Sequence, residues 1–81
     1  MVKVIFYNLL RSKYNVNETM VHSGSIHEIL NQVFVQYPNM QKKDFDTAIV
    51  FHKGKPFHKI NFDHKIDDLE EIIITHFVGG G

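Results

Sequence analysis

Cysteine is absent from the 81-residue sequence, and proline occurs only twice, at positions 38 and 56. Without cysteine there is no disulfide framework, thiolate metal site or cysteine nucleophile. That lack fits a reducing compartment at least as well as secretion. A dominant charge is missing too: nine Lys and Arg offset nine Asp and Glu, and the two signs are interspersed. Nucleic-acid binding normally needs a basic excess, because neutralising phosphates supplies most of the affinity. Nucleic acid is therefore not an expected partner. Long apolar runs are lacking as well; stretches such as Ala48–Phe51 fall far short of the roughly 20 residues that span a bilayer. No small-residue cleavage site follows Val2–Tyr7, so the opening segment reads as a strand and not as a signal peptide. These absences together predict a soluble, cytoplasmic chain with no membrane partner.

What is present suffices for one core. Hydrophobic residues make up 43% of the chain, and there are seven Phe. A domain this small buries only about 60–65% of the surface its unfolded chain exposes, which leaves room for a single core.

Val2–Leu9 is rich in β-branched and aromatic residues and predicts a first strand, with Val2, Val4 and Phe6 on one face and Lys3, Ile5 and Tyr7 on the other. The polar stretch Arg11–Asn17 predicts a turn, and Glu18–His22 a returning antiparallel strand. Ser25 and Glu28 have capping-box spacing. Ile26, Ile29, Leu30, Val33, Phe34 and Tyr37 then form one helical stripe, ended by Pro38, with His27, Glu28, Asn31, Gln32 and Gln36 on a wet outer face. Asn39–Asp44 suits a short helical turn. Thr47–His52 predicts a strand, Lys53–Pro56 a turn and Phe57–Ile60 a short return, for which Pro56 favours a sheet edge. Asn61–Asp68 is a turn-rich connection, and Glu71–Val78 a β-branched last strand leading into Gly79-Gly80-Gly81.

The resulting order is β-β-α-β-β-β. A single one-sided helix covers one face of a sheet, which makes the class α+β with a mixed five-stranded sheet. Placing the first and last strands side by side at the centre requires both to be apolar on both faces, as they are. That arrangement is the ubiquitin-like β-grasp, with residues 1–78 as the domain and 79–81 as a flexible glycine tail. It leaves Ile5, Tyr7 and one face of the last strand, out to Phe77, Val78 and Gly79, as an apolar patch away from the helix. Contiguous patches of this kind mark partner interfaces, although single exposed apolar residues are ordinary.

Six histidines show no i, i+4 helical pair and no ligand motif, so no metal site is expected. His52 and His58 are placed to face each other across the hairpin. His64 beside Asp63 is either a general base or part of the turn's hydrogen bonding. His76 lies close enough to the tail to touch a partner. Asp67, Asp68, Glu70 and Glu71 either meet basic residues of a partner or form a solvated turn, and Arg11 and Lys13 are equally ambiguous.

Three stretches give the chain its resemblance to a family. Met1–Phe6, the segment Phe62–Ile72 with its acidic turn, and Phe77–Gly81 resemble the corresponding parts of the MoaD/ThiS-like sulfur carriers, most closely the molybdopterin synthase small subunits. The chain departs from them at Leu69, where the family often has Gly, at Gly79, which precedes the usual glycine pair, and in lacking prolines just before the tail. The resemblance implies a carrier without a self-contained active site. An E1-like adenylating enzyme would use ATP and magnesium to activate the Gly81 carboxylate. A sulfur donor would convert it to a thiocarboxylate, and a large synthase subunit would serve cofactor biosynthesis with the sulfur. The carrier itself would bind no cofactor.

Elementary chemistry agrees with that role for Gly80 and Gly81. A carboxylate that must thread into another protein's nucleotide site needs a narrow stem, and glycine, lacking Cβ, provides it and reaches backbone angles closed to other residues. Activation followed by attack at the carbonyl carbon is acyl transfer. A protein modifier joined to targets through Gly81 would use the same terminus. A β-grasp interaction module would leave the tail inert. Three glycines at a chain end are also what a linker leaves.

Overall fold

The computed structural model describes residues 1–77. In chain order, β1 is Val2–Phe6, α1 Asn8–Tyr14, β2 Glu18–Val21, β3 Gly24–Ser25 and α2 Ile26–Gln36; α3 is Lys43–Asp46, β4 Ile49–His52, β5 Lys55–Phe57, β6 Lys65–Ile66 and β7 Glu71–Thr75. Five strands form one mixed sheet in the order β2-β1-β7-β4-β5, and β3 and β6 form a small second sheet. β1 and β7 run parallel in register, Val4 against Ile72 and Phe6 against Ile74, while the other pairs of the large sheet are antiparallel. The first and last strands are thus neighbours, as their two-sided apolarity predicts.

The helix α2 starts where its capping box lies. Ser25 Oγ accepts from the Glu28 N–H, and Glu28 Oε1 accepts from the Ser25 N–H. This second bond and the nearby Lys65 hold the Glu28 carboxyl below its ordinary range. Carbonyls of His64 and Phe62 accept from the next two N–H groups, those of Ile26 and His27, so the helix's first turn is satisfied from both directions. Ile26, Ile29, Leu30 and Val33 are buried over Val2, Val4, Phe6, Val50, Ile72 and Ile74, with Phe34 and Tyr37 packed at the margin. The ring of Phe6 meets Tyr37 edge to face, with centroids 6.1 Å apart.

Four expectations need correction. The first strand ends at Phe6, not Leu9, and the expected turn over Arg11–Asn17 is occupied by α1 and its left-handed cap Asn15, at φ 54°. Leu10 is fully buried and Tyr14 leans on the core, an i, i+4 pair that secures a short helix. The short return strand is Lys55–Phe57, and Lys59–Asn61 forms a 3-10 turn instead of continuing it. The last strand ends at Thr75. The hairpin between β4 and β5 turns on two residues, Lys53 at φ 54° and Gly54 at φ 78°, the paired positive angles that suit the twist of antiparallel strands. Pro56 does lie on an edge strand.

Leu69 is a strained position. Its φ is 69°, which costs an L-residue with a Cβ about 1–2 kcal/mol, and its side chain is 93% exposed, so burial returns nothing. Leu69→Gly is therefore expected to raise stability by about 1 kcal/mol, read as a higher urea midpoint at unchanged slope.

Candidate functional site

Alternation along β1, β4 and β7 sends Val4, Val50, Ile72 and Ile74 under α2, and Ile5, Phe51 and Ile73 to the opposite face. Strand registers align these into one row across the sheet, Glu18–Ile5–Ile73–Phe51–Pro56. Ile5, Ile73 and Phe51 are half-buried. Met20 and Tyr7, both 44% exposed, share their face by alternation. The open face is thus an apolar band centred on β7. Phe51 was not foreseen in it, because no local pattern tells which neighbour will lie beside Ile73.

Of the residues singled out from the sequence as an interface, Ile5 lies within this band and Tyr7 follows it beyond the end of β1, while Phe77 lines a groove with Leu9, Thr47 and His76. Val78, Gly79, Gly80 and Gly81 lie outside the described residues.

The exit of β7 is held by α1 and α3. Asn8, itself at φ 56°, donates from Nδ2 to Thr75 Oγ1 at 2.8 Å and to the His76 carbonyl at 3.0 Å. His76 Nε2 donates to the Asp44 carbonyl. The Asp44 carboxylate, 7% exposed, accepts from the Tyr14 hydroxyl and, at 3.0 and 3.2 Å, from Lys13 Nζ. Those two donors hold the Asp44 carboxyl below its ordinary range, and the carboxylate in turn raises Lys13. Tyr14 also accepts from the Gln41 N–H at 3.0 Å. Lys13 thus belongs to this internal network, and His76 is bound to the domain. A groove of about 730 Å³ lined by Leu9, Thr47, His76 and Phe77 lies beside the exit.

The acidic turn is engaged within the domain. Asp68 accepts from the Met1 amine at 3.0 Å, which holds its carboxyl low. Glu70 bonds Lys53 at 2.8 Å and the Asp67 N–H at 2.9 Å. With His52 also beside it, Glu70 is lowered from 4.5 to about 2, while Lys53 is raised. A carboxyl depressed in the folded state stabilises fully above its unfolded value and loses that contribution as pH falls through its folded one. The melting temperature is therefore expected to drop more steeply between 4.5 and about 2 in the wild type than in Glu70→Gln, a comparison made by thermal melts across that window.

His52 meets His64, not His58. Their Nδ1 and Nε2 are 3.0 Å apart, and His64 stacks on Phe57 with centroids 4.1 Å apart. The second nitrogen of His52 lies 3.2 Å from Glu70 Oε1, off the line of a hydrogen bond. His64 is thereby occupied inside the fold and not presented as a base beside Asp63. Among the described residues no group of three or more His, Asp or Glu is placed to hold a metal ion, and no helix is long and apolar enough to cross a membrane. The chain matches no family model, and no curated protein matches its sequence.

Proposed function

We propose that the chain is a β-grasp sulfur carrier that acts through Gly81. The reading is supported above all by one arrangement: β7 runs through the sheet interior beside a parallel β1, carries the apolar open face, and ends with its exit fixed by Asn8 and Asp44 just before Phe77. A partner seated on Ile5, Ile73 and Phe51 would lie beside the strand whose exit at Thr75 and His76 is fixed. Val78, Gly79, Gly80 and Gly81 then form a stem without branched side chains beyond Val78, suited to a nucleotide site.

In the proposed reaction a partner's ATP and magnesium form an acyl-adenylate at Gly81 with release of pyrophosphate. Sulfide delivered by a sulfur donor then attacks the carbonyl carbon, the bond to AMP breaks and AMP leaves, and the resulting thiocarboxylate hands its sulfur to a cofactor precursor, molybdopterin-type by resemblance. This chain supplies the electrophile and the docking face; the partner supplies the oxyanion and phosphate contacts. The test is ATP–pyrophosphate exchange with the adenylating enzyme of the same cell. Exchange that depends on this chain supports the proposal, and exchange indifferent to it overturns it.

A further inference from the structure

The two outer strands of the large sheet are β2 and β5, and they are guarded differently. Edge strands expose unpaired N–H and C=O groups that recruit another extended chain, and proline or lysine on the edge is a common defence. β5 carries both, Lys55 and Pro56. β2, Glu-Thr-Met-Val, carries neither.

Asn17 C=O accepts from Phe6 N–H, so residues 17, 19 and 21 address β1 while 18, 20 and 22 turn their backbone groups outward. Two glutamines of α2, one turn apart, reach over to those outward groups. Gln36 Nε2 donates to the Met20 carbonyl at 2.9 Å, and its Oε1 accepts from the Thr19 hydroxyl. Gln32 Nε2 donates to the His22 carbonyl at 3.0 Å while its Oε1 accepts from the His22 N–H at 2.7 Å. That reciprocal pair is what an antiparallel neighbour would make with His22.

We propose that Gln32 and Gln36 stand in for a sixth strand, and that the partner they exclude is β2 of a second copy of this chain. Pairing two copies antiparallel about Met20 sets Glu18 of each opposite His22 of the other, an acceptor against a donor, and Met20 against Met20. Such a pair would join two sheets into one. With the glutamines in place the Met20 carbonyl and both backbone groups of His22 are taken, β5 is guarded by Pro56, and partners are left the open face. This inference does not depend on the chemistry of the tail.

Sedimentation equilibrium over a concentration series tests it, comparing wild type with Gln32→Ala/Gln36→Ala. Wild type is expected to remain at 9.5 kDa, and the double variant to rise toward twice that mass with concentration. Adding Met20→Pro should restore the monomer, because the Met20 N–H faces outward and its loss spares the β1 ladder. A natively folded double variant that stays at the monomer mass overturns the proposal. So does a dimer that Met20→Pro leaves intact, or a wild type already dimeric. If the double variant loses its native circular dichroism, Gln36→Glu, whose carboxylate cannot donate to the Met20 carbonyl, is read by the same criteria.

Discussion

Phe6→Ala is expected to remove about 3–5 kcal/mol of folding stability, a large share of the reserve of a domain this size. At about 0.05–0.15 kcal/mol per residue, such a chain holds only some 4–12 kcal/mol. Phe6 is fully buried, closes β1 against Ile74 of β7, and meets Tyr37 at the end of α2. Truncation leaves a cavity walled by the sheet and by the C-terminal turn of α2, two elements that cannot both move in to fill it. Urea unfolding checks the loss. Tyr7→Ala, one residue on and 44% exposed, should cost far less in the same assay. Similar losses at both positions would mean that the two faces are not distinct.

The second large effect falls on the proposed activity. Gly80→Val is expected to cut chain-dependent pyrophosphate exchange about 100-fold or more, since a small misplacement of a reacting group can cost that much. A β-branched side chain widens the stem and restricts its backbone angles. Urea unfolding of both proteins, read beside the exchange, separates a loss of acyl transfer from a loss of folding. Equal exchange in the two proteins would remove Gly80 from the proposed mechanism.

What could be read in the sequence was local. Ser25 and Glu28 announce the start of α2 because a capping box is satisfied within four residues, and the stripe from Ile26 to Tyr37 shows its buried face by spacing alone. The two-sided apolarity of Val2–Phe6 and Glu71–Thr75 places them side by side. Helix α1 escaped notice because only Leu10 and Tyr14 tie it to the core, while Arg11, Ser12 and Lys13 give it the look of a loop. Gln32 and Gln36 read as wet-face residues, since their partners at Thr19, Met20 and His22 are brought near only by the fold. For the same reason His52 was matched to the nearer His58 when its contact is His64. The acidic turn had two readings, and its Asp68 and Glu70 meet partners at Met1 and Lys53 that no spacing rule connects.

Leu69 links stability to the open face. Its side chain rims a groove of about 460 Å³ that also includes Phe51 and Ile73, at the end of β7 remote from Phe77. An exposed leucine held at φ 69° is a cost to the isolated domain. Relief of that cost by glycine therefore gives a measure of backbone strain separate from any partner.

The most direct measurement of the central claim is the intact mass of this chain isolated from its own cells under denaturing conditions. The expected result is a fraction heavier than the carboxylate form by the exchange of one oxygen for one sulfur, localised to the terminal glycine and absent when the adenylating enzyme is deleted. A chain found only as the free carboxylate, or only in conjugates joined through Gly81 to other proteins, would contradict it.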